Sequence, residues 1–229
     1  MQPIFSRRSQ GEDGRATGAP WQGAHPSSTG GFVTALSPNM EDARVSAVAQ
    51  TIIEGNYEEA ELWLRHISEQ CSSTAMRLFY HAVVHHCTQA GKPEATAWCA
   101  EQMLTLGIRH NEVTCNAVLR ACAKARDLKL ALQWWKQMVD HGLSPNAITY
   151  NTMLTVGAQV RDLCFVESWA EHMITEGVNL CVVSFGIIID TAAKVGRLDK
   201  AEAWYSRMED TGVTPDTVIY NTLINACAK

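Results

Sequence analysis

The chain has 229 residues, of which 46% are apolar and 19% are charged, and its formal net charge is −5. This composition predicts a folded protein, because disordered chains hold fewer apolar residues and carry more charge. No apolar run reaches the roughly 18 residues that a membrane-spanning helix needs, so we expect a soluble protein without a membrane partner. The net negative charge counts against a broadly basic nucleic-acid-binding surface.

The cysteine pattern predicts free thiols. None of the eight cysteines forms a C-x-x-C pair, which makes a zinc site improbable. For this reason we expect no metal site. No signal-peptide core precedes the cysteines, so we also expect a reducing compartment.

The first 40 residues are rich in Gly, Ser and Pro and show no periodicity. Residues 1–40 are therefore predicted to be a disordered leader. Three arginines, Arg7, Arg8 and Arg15, outnumber the two acidic residues of this stretch. An organelle transit segment is the alternative interpretation.

Further along the chain, unrelated residue types recur every 35 residues. The series are Gly107, Gly142, Gly177 and Gly212; Met103, Met138, Met173 and Met208; and Trp134, Trp169 and Trp204. Such a period predicts stacked structural repeats rather than a single globular core. We place the repeat array at 77–229, as units 77–111, 112–146, 147–181 and 182–216 with a partial unit at 217–229. A degenerate repeat is predicted at 41–76.

Each unit has the pattern of two helices. In unit 112–146 the apolar spacing predicts a first helix over about 113–125 and a second over about 128–141. Thr114 is the expected N-cap, with Thr149 and Ser184 in the same place in the next units. Gly142 is expected to end the second helix in the left-handed conformation. The fold predicted from these units is an all-α solenoid forming a right-handed superhelix.

Several segments resemble the pentatricopeptide repeat family. They are ITYNTML at 148–154, VIYNTLINACAK at 218–229, GRLDKAEAWYSRMEDTGVTPD at 196–216 and HGLSPN at 141–146. The resemblance implies a partner, single-stranded RNA, bound at about one base per repeat. It also implies a role in organelle RNA processing, stability, editing or translation, in a mitochondrion or chloroplast and otherwise in the cytoplasm.

The resemblance also implies which side chains read the bases. In the family, one reader lies near the start of the first helix, the other is the last residue before the next unit, and an apolar residue packs against the base. The implied reader pairs are Asn116 with Asn146, Asn151 with Cys181, Gly186 with Asp216, and His81 with Asn111, followed by Asn221 in the partial unit. The implied packing residues are Val113, Ile148, Val183 and Val218. Only the first pair has the usual pattern, since Cys181 bonds poorly and Gly186 has no side chain.

Charge divides between the helices of each unit. From residue 112 onward, the first-helix segments hold six basic and two acidic residues, whereas the remaining segments hold five basic and eleven acidic residues. Lys124, Lys194 and Lys229 keep the 35-residue register and are candidates for phosphate contacts along RNA. The alternative is that they are ordinary lysines near helix ends, where a cation suits the helix dipole.

No catalytic motif is present, so we predict no enzyme activity, no cofactor and no small-molecule substrate. His81 and His85 lie one helical turn apart, but no third metal ligand accompanies them. The first functional hypothesis is a non-catalytic RNA-binding adaptor. The second is a protein-interaction scaffold, which the net acidity and the imperfect readers favour.

Overall fold

A computed structural model describes residues 38–227, which form eleven α-helices and no strands. Residues 1–37 of the predicted leader and Lys229 lie outside the described residues. The helices are α1 Pro38–Ile53, α2 Tyr57–Gln70, α3 Ser73–Gln89, α4 Pro93–Thr105, α5 Glu112–Ala125, α6 Leu128–Asp140, α7 Ala147–Gln159, α8 Leu163–Thr175, α9 Val182–Val195, α10 Leu198–Asp210 and α11 Thr217–Cys227. Within 38–227, no helix is both long and apolar enough to span a bilayer.

The helices stack as a series of pairs. The odd-numbered helices, here called first helices, each pack against the next first helix along the chain. The even-numbered helices, here called second helices, each pack against the first helix of their own pair and that of the next pair. A continuous layer of first helices is therefore covered by second helices, as in an α-solenoid. The predicted all-α repeat fold is confirmed.

The recurring Met and Trp residues fill the space between helices. Met103, Met138, Met173 and Met208 are at most 1% exposed, and Trp134 and Trp204 are also buried. Burying side chains of this size contributes about 1.5–3 kcal/mol each to folding. Trp169 departs from the series, because it is only half-buried at the same register.

The N-terminal caps of the first helices lie three residues before the predicted ones. Asn111 and Asn146 cap α5 and α7, and Cys181 occupies the same position before α9. Thr149 instead stands at the third helical position, where its hydroxyl accepts from the Asn146 backbone N–H while the Asn146 side chain accepts from the Thr149 N–H. The prediction of Thr114, Thr149 and Ser184 as caps was wrong, because this reciprocal capping box uses both positions.

Glycine ends the second helices as predicted. Gly142 has φ +74°, the left-handed conformation that a Cβ disfavours. Its N–H donates to Val139, and Leu143 donates to Met138, so the last carbonyls of α6 are satisfied. The chain is then free to turn towards the next first helix.

The connection between α2 and α3 differs from the later ones. Only Cys71 and Ser72 separate these helices, whereas six residues, 106–111, separate α4 from α5. Ser72 caps α3, which begins at Ser73, four residues before the unit boundary placed at 77. An extra turn at the start of α3 thus takes the place of the longer loop. The left-handed glycine that follows the later second helices has no equivalent after α2.

Candidate functional site

A column of exposed apolar side chains runs across the first helices. It consists of Leu78, Val113, Ile148, Val183 and Val218, which are 65%, 61%, 63%, 55% and 65% exposed. Large aliphatic side chains at one register, all left open to solvent, indicate a surface used for binding. Leu78 was missing from the prediction, although the 35-residue step from Val113 identifies it. Val113 begins the apolar pattern of its helix, but it is exposed and is not buried between helices.

Asn116 lies one helical turn after Val113 and is 6% exposed. Its Oδ1 is buried and accepts no hydrogen bond. An unsatisfied buried acceptor costs about 1–3 kcal/mol, so this oxygen is a site where a ligand donor would be favourable. The structure therefore places a predicted reader beside the apolar column with an unmet hydrogen-bonding requirement.

The predicted partner reader, Asn146, is engaged at both ends of its amide. Its Oδ1 accepts from the backbone N–H groups of Ile148 and Thr149, and its Nδ2 donates to Glu112 at 3.0 Å. Asn111, one unit earlier, likewise accepts from Thr114. These asparagines therefore have structural roles as caps.

A hydrogen bond connects the two predicted readers of the next unit, Asn151 and Cys181. Asn151 Nδ2 lies 3.6 Å from Cys181 Sγ, and Asn151 Oδ1 accepts from the Ser184 hydroxyl at 2.7 Å. Burial alone would raise the pKa of the Cys181 thiol, but hydrogen bonds from Ser184 and Asn151 lower it. The three side chains form one polar cluster that joins α7 to the start of α9.

The third pair offers little to a base. Gly186 is half-buried, and a Cβ added there would meet only Ile219 Cγ1 at 3.9 Å. Asp216 accepts from the Ile219 backbone N–H and so serves as a cap. Asn221, which opens the partial unit, is exposed.

His81, the first reader of unit 77–111, lies on α3 and is half-buried. Burial and the nearby Arg77 lower its pKa, which favours the neutral ring. His85 lies one turn further on and contacts Gln89. Within the described residues, no three His, Cys, Asp or Glu side chains are grouped closely enough to hold a metal.

Both described lysines of the predicted row already have protein partners. Lys124 Nζ donates to the backbone carbonyls of Thr88 and Gln89 at 3.2 Å each, at the C-terminal end of α3. Lys194 Nζ lies 2.7 Å from Asp190 on its own helix. Both lysines thus stand in the last turn of their first helices, and each ammonium group is already engaged by oxygen atoms of the protein.

Charges on the second helices pair across neighbouring repeats. Lys200 on α10 lies 3.1 Å from Glu167 on α8, and Arg207 on α10 pairs with Glu171 on α8. Since Arg207 donates to Glu171, it lowers the pKa of that carboxyl. Two of the acidic side chains of α8 are therefore paired with basic side chains of α10.

Comparisons with known proteins agree with this geometry. The model of the PPR repeat family matches residues 110–157 and 180–229. The crystal structure of the pentatricopeptide repeat protein PPR10 from maize is similar, with 22% identity and a TM-score of 0.58 over 80% of this chain and 26% of the maize chain. No curated protein is similar in sequence to the chain.

Two structures from Arabidopsis thaliana are also similar. The PPR domain of protein-only RNase P 1, crystallised in complex with tRNA, has 18% identity and a TM-score of 0.55 over 63% of this chain and 77% of that one. Nuclear proteinaceous RNase P 2 has 14% identity and a TM-score of 0.53 over 65% and 34% of the two chains. At these identities the likeness establishes the fold. The chain spans about a quarter of PPR10 and a third of RNase P 2.

Proposed function

We propose that the chain, which matches the pentatricopeptide repeat family over residues 110–157 and 180–229, binds single-stranded RNA along its first helices, with about one base for each repeat. The single observation that carries this proposal is the apolar column from Leu78 to Val218. An extended RNA strand exposes the faces of its bases, and aliphatic side chains spaced at one per repeat offer each base a surface to pack on. The tRNA bound by the PPR domain of RNase P 1 supports the same chemistry.

Base selection follows from the side chains that flank the column. Asn116 presents a buried acceptor without a partner, so the repeat of α5 and α6 is the most selective one. In the next repeat, Asn151 is held by Cys181 and Ser184, and a base there competes with these bonds. Gly186 has no side chain and so cannot select a base by hydrogen bonding. The chain therefore combines one selective repeat with several permissive ones.

The proposed biological role is a non-catalytic adaptor in organelle RNA processing, stability, editing or translation. The compartment proposed is a mitochondrion or chloroplast, and otherwise the cytoplasm. The match to the pentatricopeptide repeat family supports these proposals, and the arginines of the leader support import. RNase P 1 and RNase P 2 show that similar repeats also occur in enzymes.

The test replaces two members of the column. Ile148→Ser and Val183→Ser are each expected to weaken binding of a pyrimidine-rich ten-nucleotide RNA by roughly fivefold, since each removes one packing surface for a base. Fluorescence anisotropy measures the affinities. Leu132→Ser is the matched control, because Leu132 is 41% exposed but lies on the second helix α6. If a variant with both column substitutions kept full affinity for RNA, or if Leu132→Ser lost as much affinity as they do, packing of the bases on the column would be contradicted.

A protein-interaction scaffold is the alternative function. The observation that favours it is the engagement of Lys124 and Lys194 by protein groups, which leaves few free cations for phosphates. The same titration distinguishes the two functions, because a scaffold would show negligible RNA binding in the wild type and in every variant. Measurable binding that depends on the column would exclude a scaffold without RNA.

A further inference from the structure

A second surface, on the second helices, carries a cluster of aromatic rings. A cleft of about 330 Å³ opens there between α6 and α8, lined by Trp135, Ser168, Trp169 and His172. Neither tryptophan is fully buried. No other repeat has a tryptophan at the position of Trp135, where residues 100, 170 and 205 are Ala, Ala and Tyr. The cleft is thus specific to this repeat and is not part of the apolar column on the first helices.

The rings that line the cleft stand nearly at right angles to one another. Trp135 and Trp169 meet at 84° with centroids 4.4 Å apart, and His172 is inclined by 67° to the first and 72° to the second. This arrangement offers no pair of parallel rings between which a planar base could be sandwiched. Perpendicular rings form a corner of π faces, which is the geometry that attracts a compact or guanidinium cation.

The next repeat shows the same position occupied by a cation. Trp204 and Arg207 stand 35 residues after Trp169 and His172. The guanidinium carbon of Arg207 lies 4.8 Å from the centroid of the Trp204 ring, and this guanidinium also pairs with Glu171. At Trp169 the corresponding side chain is His172, so no guanidinium from residues 38–227 lies over this ring.

The charges near the cleft favour a cation as the ligand. Helix α8 contains no lysine or arginine. Glu176 follows it at the C-terminal end of the helix, with its carboxylate 3.9 Å from His172 Nε2, and is 60% exposed. The negative end of the α8 dipole adds to this field. Lys136, on α6, is not among the residues that line the cleft.

We propose that this cleft binds the guanidinium group of an arginine side chain carried by a partner protein. The guanidinium would lie against the faces of Trp135 and Trp169, with Glu176 supplying the opposite charge. Ser168 and His172 would line the remaining sides. This site makes the chain a bridge, with its first helices free for one ligand and its second helices holding a protein.

The experiment uses the blocked peptide acetyl-Gly-Arg-Gly-amide as the probe and its citrulline counterpart as the neutral analogue. NMR spectra of the 15N-labelled chain follow the indole N–H signals of Trp135 and Trp169 during titration. We expect the arginine peptide to shift both signals and to bind at least about tenfold more tightly than the citrulline peptide. Equal binding of the two peptides would overturn the proposal.

Three variants locate the site. Trp169→Leu should abolish the difference in affinity between the two peptides. Glu176→Gln, at an exposed position, should weaken binding of the arginine peptide by roughly threefold. Trp63→Leu is the matched control, since Trp63 is 51% exposed on the distant helix α2, and should change nothing. Unchanged affinity in Glu176→Gln, or displacement of the peptide by pyrimidine-rich RNA, would contradict the assignment.

Discussion

Asparagine serves two purposes at the recurring positions of this array. Asn146 is a helix cap whose amide is fully engaged, whereas Asn116 is buried with an unused acceptor. A cap contributes about 1 kcal/mol to stability, while an unsatisfied buried acceptor detracts from it. The same residue type therefore stabilises the fold at one position and leaves an acceptor unpaired at the other.

Changes at these two asparagines should separate stability from base selection. Asn116→Ala is expected to alter base preference at one nucleotide and to leave the free energy of unfolding unchanged or slightly higher. Asn146→Ala should lower that free energy by about 1 kcal/mol as well as alter the preference, and Asn146→Ser should restore the cap. Denaturant unfolding and binding to an RNA library measure the two effects. A uniform loss across all RNA sequences in Asn116→Ala would argue against a reading role.

Sequence patterns predicted the register of these residues but not their bonding. The 35-residue step placed Asn116, Asn151 and Gly186 at equivalent points of successive first helices. It could not show that Asn151 bonds to Cys181 and Ser184, because that contact depends on how two repeats are rotated against each other. The capping box was missed for a related reason, since a serine or threonine at either end of it fits the same pattern.

At the level of the helices, two glycines inside first helices differ in their surroundings. A Cβ at Gly157 in α7 would lie 2.5 Å from Phe165 Cδ1 and 2.8 Å from Val166 Cγ2, so α7 and α8 pack closely through this residue. A Cβ at Gly186 in α9 meets nothing nearer than 3.9 Å. The absence of a side chain at Gly157 therefore allows α7 and α8 to approach closely.

The two glycines form a matched pair for substitution. Gly157→Ala is expected to lower the free energy of unfolding by about 1–3 kcal/mol, because overpacking outweighs the better helix propensity of alanine. Gly186→Ala should raise it by about 0.5–1 kcal/mol, since the propensity gain acts alone. Thermal and urea denaturation measure both. The same sign of change in the two variants would show that the contacts of Gly157 do not decide its role.

For the whole molecule, a net charge of −5 must be reconciled with a polyanionic ligand. The structure reduces the conflict in two ways, because α8 and α10 pair part of their charge with each other and the first helices hold few carboxylates. Lys124 and Lys194 are available only by exchanging a protein partner for a phosphate. In the proposed RNA complex, we therefore expect packing on the bases to supply more of the binding free energy than phosphate contacts do.

Salt dependence tests this balance. Between 50 and 200 mM salt we expect RNA affinity to fall by less than about tenfold, because only about two phosphates are neutralised. Lys124→Gln combined with Lys194→Gln should flatten the dependence, whereas Lys129→Gln, on the second helix α6, should leave it unchanged. Filter binding over a salt series gives the slope. If RNA affinity fell steeply with salt, or if Lys129→Gln flattened the dependence as much as the double variant does, cations other than Lys124 and Lys194 would be contacting the phosphates.

The short connection between α2 and α3 has a consequence for the extent of RNA that the chain can cover. Met76 stands 35 residues before Asn111, at the place of a second reader, but the extra turn of α3 encloses it and leaves it 4% exposed. Met76 therefore offers no polar group at the position of a second reader. If RNA follows the apolar column as proposed, its footprint ends at α3, and lengthening the strand beyond this border should add no affinity.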